Sequence, residues 1–152
     1  MASPPNLESI QIALVSNVPY RVQKFSTMFQ QSTGDDLFDL HAINGDVDQI
    51  PPSQPFQCLI IDLEGFPNPL NLIRQIHHSR PSLSVIVIDA ECTGDHIVNA
   101  VFAGVRGCID PDCDSSTARQ AVKNVLNGLF WFSPQVMSKV IFRLLETRRP
   151  QG

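Results

Sequence analysis

Four short apolar runs, each closed by a polar residue, constrain this chain more than any other feature. They are residues 10–15 before Ser16-Asn17, Cys58-Leu59-Ile60-Ile61 before Asp62, residues 83–88 before Asp89, and Gly107-Cys108-Ile109 before Asp110-Pro111. The runs are continuous rather than alternating, so each reads as a strand buried on both faces. The segments between them carry apolar residues at helical spacing, as in Val22, Phe25, Met28 and Phe29. Strands alternating with amphipathic helices predict a doubly wound parallel sheet with right-handed crossovers. In such sheets chemistry sits outside the carboxyl ends of the strands. Asp62, at the end of its run, stands where a site belongs.

A pass along the chain fills in the elements. Residues 9–15 predict a first strand, and 19–31 a helix opened by Pro19, whose missing N–H costs nothing in a first turn. Residues 37–43 predict a second strand, 56–63 a third, 70–78 a helix and 83–88 a fourth strand. A helix follows from Thr93 or Gly94 to about Phe102. Gly104 and Gly107 bracket a tight turn into a short fifth strand, 107–109. Ser115 or Ser116 should cap a helix reaching about Asn127, and Gly128 stops it. Ser133-Pro134 opens a last helix through about Thr147. Residues 45–55 carry three prolines and predict a weak helix or a loop. Five strands over residues 9–128 predict an α/β fold of flavodoxin-like order 2-1-3-4-5 with an extra C-terminal helix. Residues 1–8 read as a disordered N-terminus. Residues 129–152 read as a linker segment and C-terminal helix.

Bulk properties narrow the function. A length of 152 residues with 43% hydrophobic content fits one globular domain. A net charge of −4 favours neither nucleic acid nor an acidic membrane as partner. No apolar stretch approaches the ~18 residues of a membrane span. Cys58, Cys92, Cys108 and Cys113 form no CxxC pair, and no signal peptide precedes them. They read as reduced thiols of a cytoplasmic protein. Cys108 and Cys113 flank an acidic turn, where they serve either as small buried hydrophobes or as oxidant sensors. His77 and His78, adjacent on a helix, cannot face one metal together and read as surface histidines. Asp62 and Asp89 should lie on adjacent strands at one sheet edge. They could share a proton, hold a cation together with Glu64, or form a solvated acidic rim. No nucleophile–base pairing and no Gly-rich phosphate loop is readable, so no enzyme activity is expected.

Several of these segments resemble the receiver domains of response regulators. Val15-Ser16-Asn17-Val18-Pro19-Tyr20-Arg21 resembles the family's opening, where an acidic pair stands at positions 16 and 17. Leu59-Ile60-Ile61-Asp62-Leu63 resembles the segment that holds the phosphoacceptor aspartate. Residues 85–90 and Ala100-Val101-Phe102-Ala103-Gly104-Val105-Arg106-Gly107 resemble the fourth strand, its helix and the "A-G-A-x-G" turn. Asn127-Gly128-Leu129-Phe130-Trp131-Phe132-Ser133-Pro134 resembles the "G-x-x-W/Y-x-S-P" segment of the LuxR/NarL-type branch, which leads into a linker helix and a DNA-binding helix-turn-helix. The resemblance spans residues 9–147.

The departures carry the functional reading. The family's acidic pair binds Mg²⁺, but Ser16 and Asn17 offer only neutral oxygens. Mg²⁺ is held through one or two carboxylates plus waters, so Asp62 alone should bind it poorly and no cofactor is expected. Asp89 replaces a hydroxyl residue, Cys108 replaces an aromatic switch residue, and Pro111 falls on the position of a phosphoryl-binding lysine. No basic residue lies near it in the sequence. A phosphoryl aspartate brings about −2 charges, and two unit charges ~4 Å apart interact by about 4 kcal/mol at an effective dielectric of 20. Exchanging the lysine attraction for an Asp89 repulsion disfavours phosphorylation by several kcal/mol.

The expected function is therefore a phosphorylation-independent pseudo-receiver, the N-terminal regulatory part of a LuxR-type transcription regulator. It would act as a homodimer, or through a partner protein or a downstream helix-turn-helix domain. DNA would be met only through a domain absent from this chain. The family's usual dimer surface predicts interface residues Val101, Ile109 and Val122. Val140 and Leu144 on the last helix serve either packing against their own domain or pairing with another. Phe130, Trp131 and Phe132 are expected to cover the core where that helix begins. The alternative is a working phosphoacceptor at Asp62, and a third class is a small enzyme using an Asp62/Asp89 cleft.

Overall fold

The computed structural model describes residues 9–30, 37–44 and 55–147. The expectations for residues 1–8 and for most of 45–55 lie outside them. Five strands form one parallel sheet of order β2-β1-β3-β4-β5: β1 (Ile10–Ser16), β2 (Phe38–Asn44), β3 (Cys58–Asp62), β4 (Ser84–Ile88) and β5 (Val105–Ile109). The helices are α1 (Pro19–Gln30), α2 (Pro69–Ser79), α3 (Asp95–Ala103), α4 (Ser115–Leu126) and α5 (Pro134–Thr147). Order and parallel pairing are as the apolar runs predict.

Alternation along each strand divides the core into two layers. Ile12, Leu14, Cys58, Ile60, Ile86, Ile88 and Ile109 face α1 and α4, where they meet Phe25, Phe29, Ala121 and Val122. Ala13, Val15, Leu59, Ile61, Val85 and Val87 face the other way, against Ile73 of α2, Ile97 of α3, and Val136 and Val140 of α5. Both faces are covered, which is why β1, β3 and β4 read as unbroken apolar runs. The strand register brings Asp62 level with Ile88 and Val15 level with Ile61, so Ser16, Asp62 and Asp89 all emerge at the carboxyl edge.

Local details depart from the sequence reading. β5 begins at Val105, and Gly107 lies inside it rather than in a turn. Gly104 alone makes the turn: at φ +115° it closes α3 in a conformation L residues rarely adopt. The cap of α4 is Asp114, not Ser115 or Ser116; its carboxylate accepts from the Thr117 N–H at 2.7 Å. That bond holds the Asp114 carboxyl below its usual range.

The segment after α4 lies along the open edge of β5. Trp131 N–H donates to Arg106 O and Trp131 O accepts from Cys108 N–H, both at 2.9 Å. This one-residue bridge blunts an edge otherwise free to pair with another chain. Phe130, expected over the core, is instead exposed beneath the Arg106 guanidinium. The first half of α5 docks on α3: Lys139 bonds Asp95 at 2.7 Å, Arg143 bonds Asn99 at 2.8 Å, and Val136 and Val140 are buried. Ile109, Val122 and Val140 are 2%, 0% and 5% exposed. They belong to the domain's own core and cannot meet a second chain. Val101 is half-buried and Leu144 is exposed, beside Ile141, Phe142 and Leu145.

The cysteines are not all thiols, contrary to expectation. Cys92, in the loop after β4, is joined to Cys108 of β5 by a disulfide with a Cα–Cα distance of 5.8 Å. Cys58 and Cys113 remain free. His77 is half-buried rather than on the surface; a Cβ on Gly104 would lie 2.7 Å from its ring.

Candidate functional site

The carboxyl edge of β1 and β3 holds a closed polar cluster. Asp62 is 1% exposed. Its Oδ2 accepts from Ser16 Oγ at 2.9 Å and from Arg21 Nη1 at 2.9 Å. Its Oδ1 accepts from Arg21 Nη1 at 3.1 Å and from Glu64 N–H at 3.1 Å. A carboxylate offers about four lone-pair sites, and here three donors, with Arg21 Nη1 shared between the two oxygens, engage both of them. Arg21 is itself 7% exposed; Nη1 also reaches Glu64 Oε2 at 2.5 Å, and Nη2 donates to Tyr20 OH at 3.1 Å. Burial pulls the Arg21 guanidinium's pKa down. The hydrogen bonds to Glu64 and Asp62, with their charges, outweigh this and raise it above its ordinary value.

Arg21 reaches Asp62 because of where α1 starts. Pro19 opens the helix three residues after β1 ends, so the first turn of α1 sits over the carboxyl edge. A long side chain there spans to the end of the neighbouring strand. Ser16 is held by its own short loop, accepting from Val18 N–H at 3.1 Å. Asn17 is exposed and donates to Gly65 O at 3.3 Å, away from Asp62.

The other half of the edge is organised separately. Asp89 bonds His96 Nε2 at 2.6 Å and accepts from Glu91 N–H at 3.0 Å. Lys24, also from α1, donates to Pro111 O and lies 3.9 Å from Asp112. The stretch around Pro111 is thus not without a cation; the cation comes from a distant helix. Among the described residues, no three His, Cys, Asp or Glu side chains converge to hold a metal ion. Asp62 is engaged by Arg21 and Asp89 by His96, so the two carboxylates have different partners. A cavity of about 230 Å³ lies at the opposite end of the sheet, between Ser84, Gly104, Arg106 and Leu129. His77 lines it and has a buried Nδ1 that finds no hydrogen-bond partner among the described residues.

No family model matches the sequence, and no curated protein does. Solved structures do. The isolated REC domain of RcsB from Salmonella enterica serovar Typhimurium, in the apo form, matches with a TM-score of 0.70 at 19% identity, over 91% of this chain and 99% of that chain. A two-component response regulator of the LuxR family from Aurantimonas sp. SI85-9A1 matches with a TM-score of 0.71 at 17% identity, over 91% and 99%. The response regulator ChrA of a heme-sensing two-component system matches with a TM-score of 0.64 at 19% identity, over 95% and 70%.

The chain has the receiver fold of response regulators. Within that fold Asp62 ends β3 and Ser16 ends β1, Asn17 and Asp89 directly follow β1 and β4, Cys108 lies within β5, and Pro111 comes two residues after it. The structure brings only Ser16 to Asp62. It adds three residues that sequence reasoning missed: Arg21, Lys24 and Cys92. For Arg21 and Lys24 a signal existed, since both are basic residues in the first half of the helix that follows the first strand. For Cys92 there was none.

Proposed function

We propose that this chain is a non-enzymatic signalling module, a receiver-fold domain that regulates by contact and does not take a phosphoryl group. One observation carries the reading. Three donors of the same chain, Ser16 Oγ, Arg21 Nη1 and Glu64 N–H, engage both oxygens of Asp62, and the strongest is a buried cation. To attack a phosphoryl donor, Asp62 would have to give up at least one of these bonds while remaining buried. Arg21 neutralises the site permanently, where a bound metal would do so reversibly. Ser16 and Asn17 supply no carboxylate to hold that metal.

The module would be cytoplasmic and would act as a homodimer or on a partner protein. The fold neighbours include LuxR-family regulators, so a downstream helix-turn-helix domain is the natural recipient of its signal. No described helix is long and apolar enough to cross a membrane.

The reading is tested by adding Mg²⁺ and beryllofluoride to the purified chain and following the backbone amides of Asp62 and Glu64 by NMR. No saturable shift is expected. Saturable binding that disappears in Asp62→Asn would establish a working phosphoacceptor instead.

A further inference from the structure

We propose that Cys92 and Cys108 form a thiol–disulfide exchange site, and that their redox state sets how firmly α3, and through it α5, is held to the sheet. The disulfide ties the loop after β4 to the penultimate residue of the edge strand β5. The loop it closes contains all of α3. Asp95, which receives Lys139 of α5, lies three residues after Cys92. Asn99 and Phe102, the other polar and aromatic contacts of α5, are on the same helix. Whatever fixes the start of α3 therefore fixes the platform on which α5 rests.

In the cytoplasmic setting proposed above, a disulfide is usually transient or redox-sensing, and the setting of this pair suits exchange. Cys108 is 5% exposed and lies within β5, whereas Cys92 is partly exposed in a loop. Attack on an incoming reagent falls to Cys92, and resolution to Cys108. With oxidised glutathione, a small-molecule disulfide, the Cys92 thiolate attacks one sulfur of the reagent's S–S bond. One glutathione leaves as thiolate and takes up a proton. The Cys108 thiolate then attacks the Cys92 sulfur of the mixed disulfide and displaces the second glutathione. Two protein thiols and one small disulfide become one protein disulfide and two small thiols, so electrons and protons balance. Cys58 is fully buried and its thiol is pushed up to about 12, and burial also raises that of the half-buried Cys113; the thiolate is the reactive form. The site stands whether or not Asp62 accepts a phosphoryl group.

The test uses the full chain in glutathione buffers of graded ratio, quenched in acid, denatured and alkylated. Two labels, on Cys58 and Cys113, are expected in oxidised glutathione and four after dithiothreitol. Amide hydrogen exchange over residues 136–147 should be at least about tenfold faster in the reduced protein, reporting local opening. Cys92→Ser and Cys108→Ser should each exchange at the reduced rate with or without reductant, and Cys113→Ser should respond like the parent. Four labels in oxidised glutathione would overturn the site. Equal exchange of α5 in both redox states, or a redox response surviving in Cys92→Ser, would overturn the coupling.

Discussion

Asp62 closes β3 and Asp89 follows β4, on neighbouring strands of one edge, yet the two carboxylates live in different media. Asp62 is 1% exposed and surrounded by donors from three chain segments. Asp89 keeps a fifth of its side chain in solvent and bonds an exposed histidine seven residues ahead. Burial forces the difference. A carboxylate sealed from water needs a cation with good geometry and its remaining lone pairs satisfied. An exposed one leaves that work to solvent. The Asp62 half of the edge is thus closed by charge pairing, whereas the Asp89 half is open and held by a covalent staple, Cys92–Cys108. One half is built to stay as it is, and the other keeps a bond that chemistry can open.

Removing the cation breaks the first half most severely. At ~3 Å and an effective dielectric near 20, the Arg21–Asp62 attraction is about 5 kcal/mol, offset largely by the desolvation of both ions. Arg21→Met retains an apolar stem but strands Asp62. It should cost about 3–5 kcal/mol in urea denaturation, the usual result of orphaning a buried charge. Arg21→Met combined with Asp62→Leu should recover most of that loss. A single variant losing under about 1 kcal/mol would mean that water enters the cluster and that the two halves of the edge are alike.

Opening the staple comes next in size. Cross-linking a loop of ~15 residues stabilises by about 3 kcal/mol in the chain-entropy account. For a chain of this length that corresponds to about 6–12 °C in Tm. The parent should melt lower by that amount in dithiothreitol, and Cys92→Ala should melt at the reduced value under either condition. If the reductant lowers Cys92→Ala equally, the stabilising bond is elsewhere.

The sheet was legible because β1, β3 and β4 are covered on both faces, which leaves unbroken apolar runs such as Leu59-Ile60-Ile61. Asp62 was legible for the same reason, as the first polar residue past a buried run. Arg21 was not, because 41 residues separate it from its partner. Only the placement of the first turn of α1 over the edge of the sheet brings them together. The resemblance drew attention to the positions where the family carries its acidic pair and lysine, whereas this chain supplies its cations from α1. The pairing of Cys92 with Cys108 was beyond reach because four cysteines allow several connectivities. A cytoplasmic reading argued against any of them. Among the proposed interface residues, Ile109, Val122 and Val140 looked the same in sequence as surface apolar residues; only the packing of α4 and α5 distinguishes them.

The smallest effect lies at the outer rim of the Asp89 half, where Asp95 opens α3 and meets Lys139 of α5. The hydrogen bond from Lys139, then its charge, holds the Asp95 carboxyl below its usual value despite full exposure. Because the folded pKa is the lower one, the folded state prefers the deprotonated acid. The contribution is therefore complete above the unfolded value of about 3.9 and is lost as the pH falls through the folded value. Hydrogen exchange over residues 136–147 should rise relative to the rest of the chain as the pH falls below about 4 in the parent. Lys139→Gln should flatten that rise. Asp95→Asn should flatten it too, and should additionally loosen the first turn of α3, because a carboxylate there favours the helix N-terminus. Comparing the two variants separates the bridge from the helix end. If Lys139→Gln leaves the acid response unchanged, α5 is held by Val136, Val140 and the contacts of Arg143, and the Asp95–Lys139 bridge has no part in docking it.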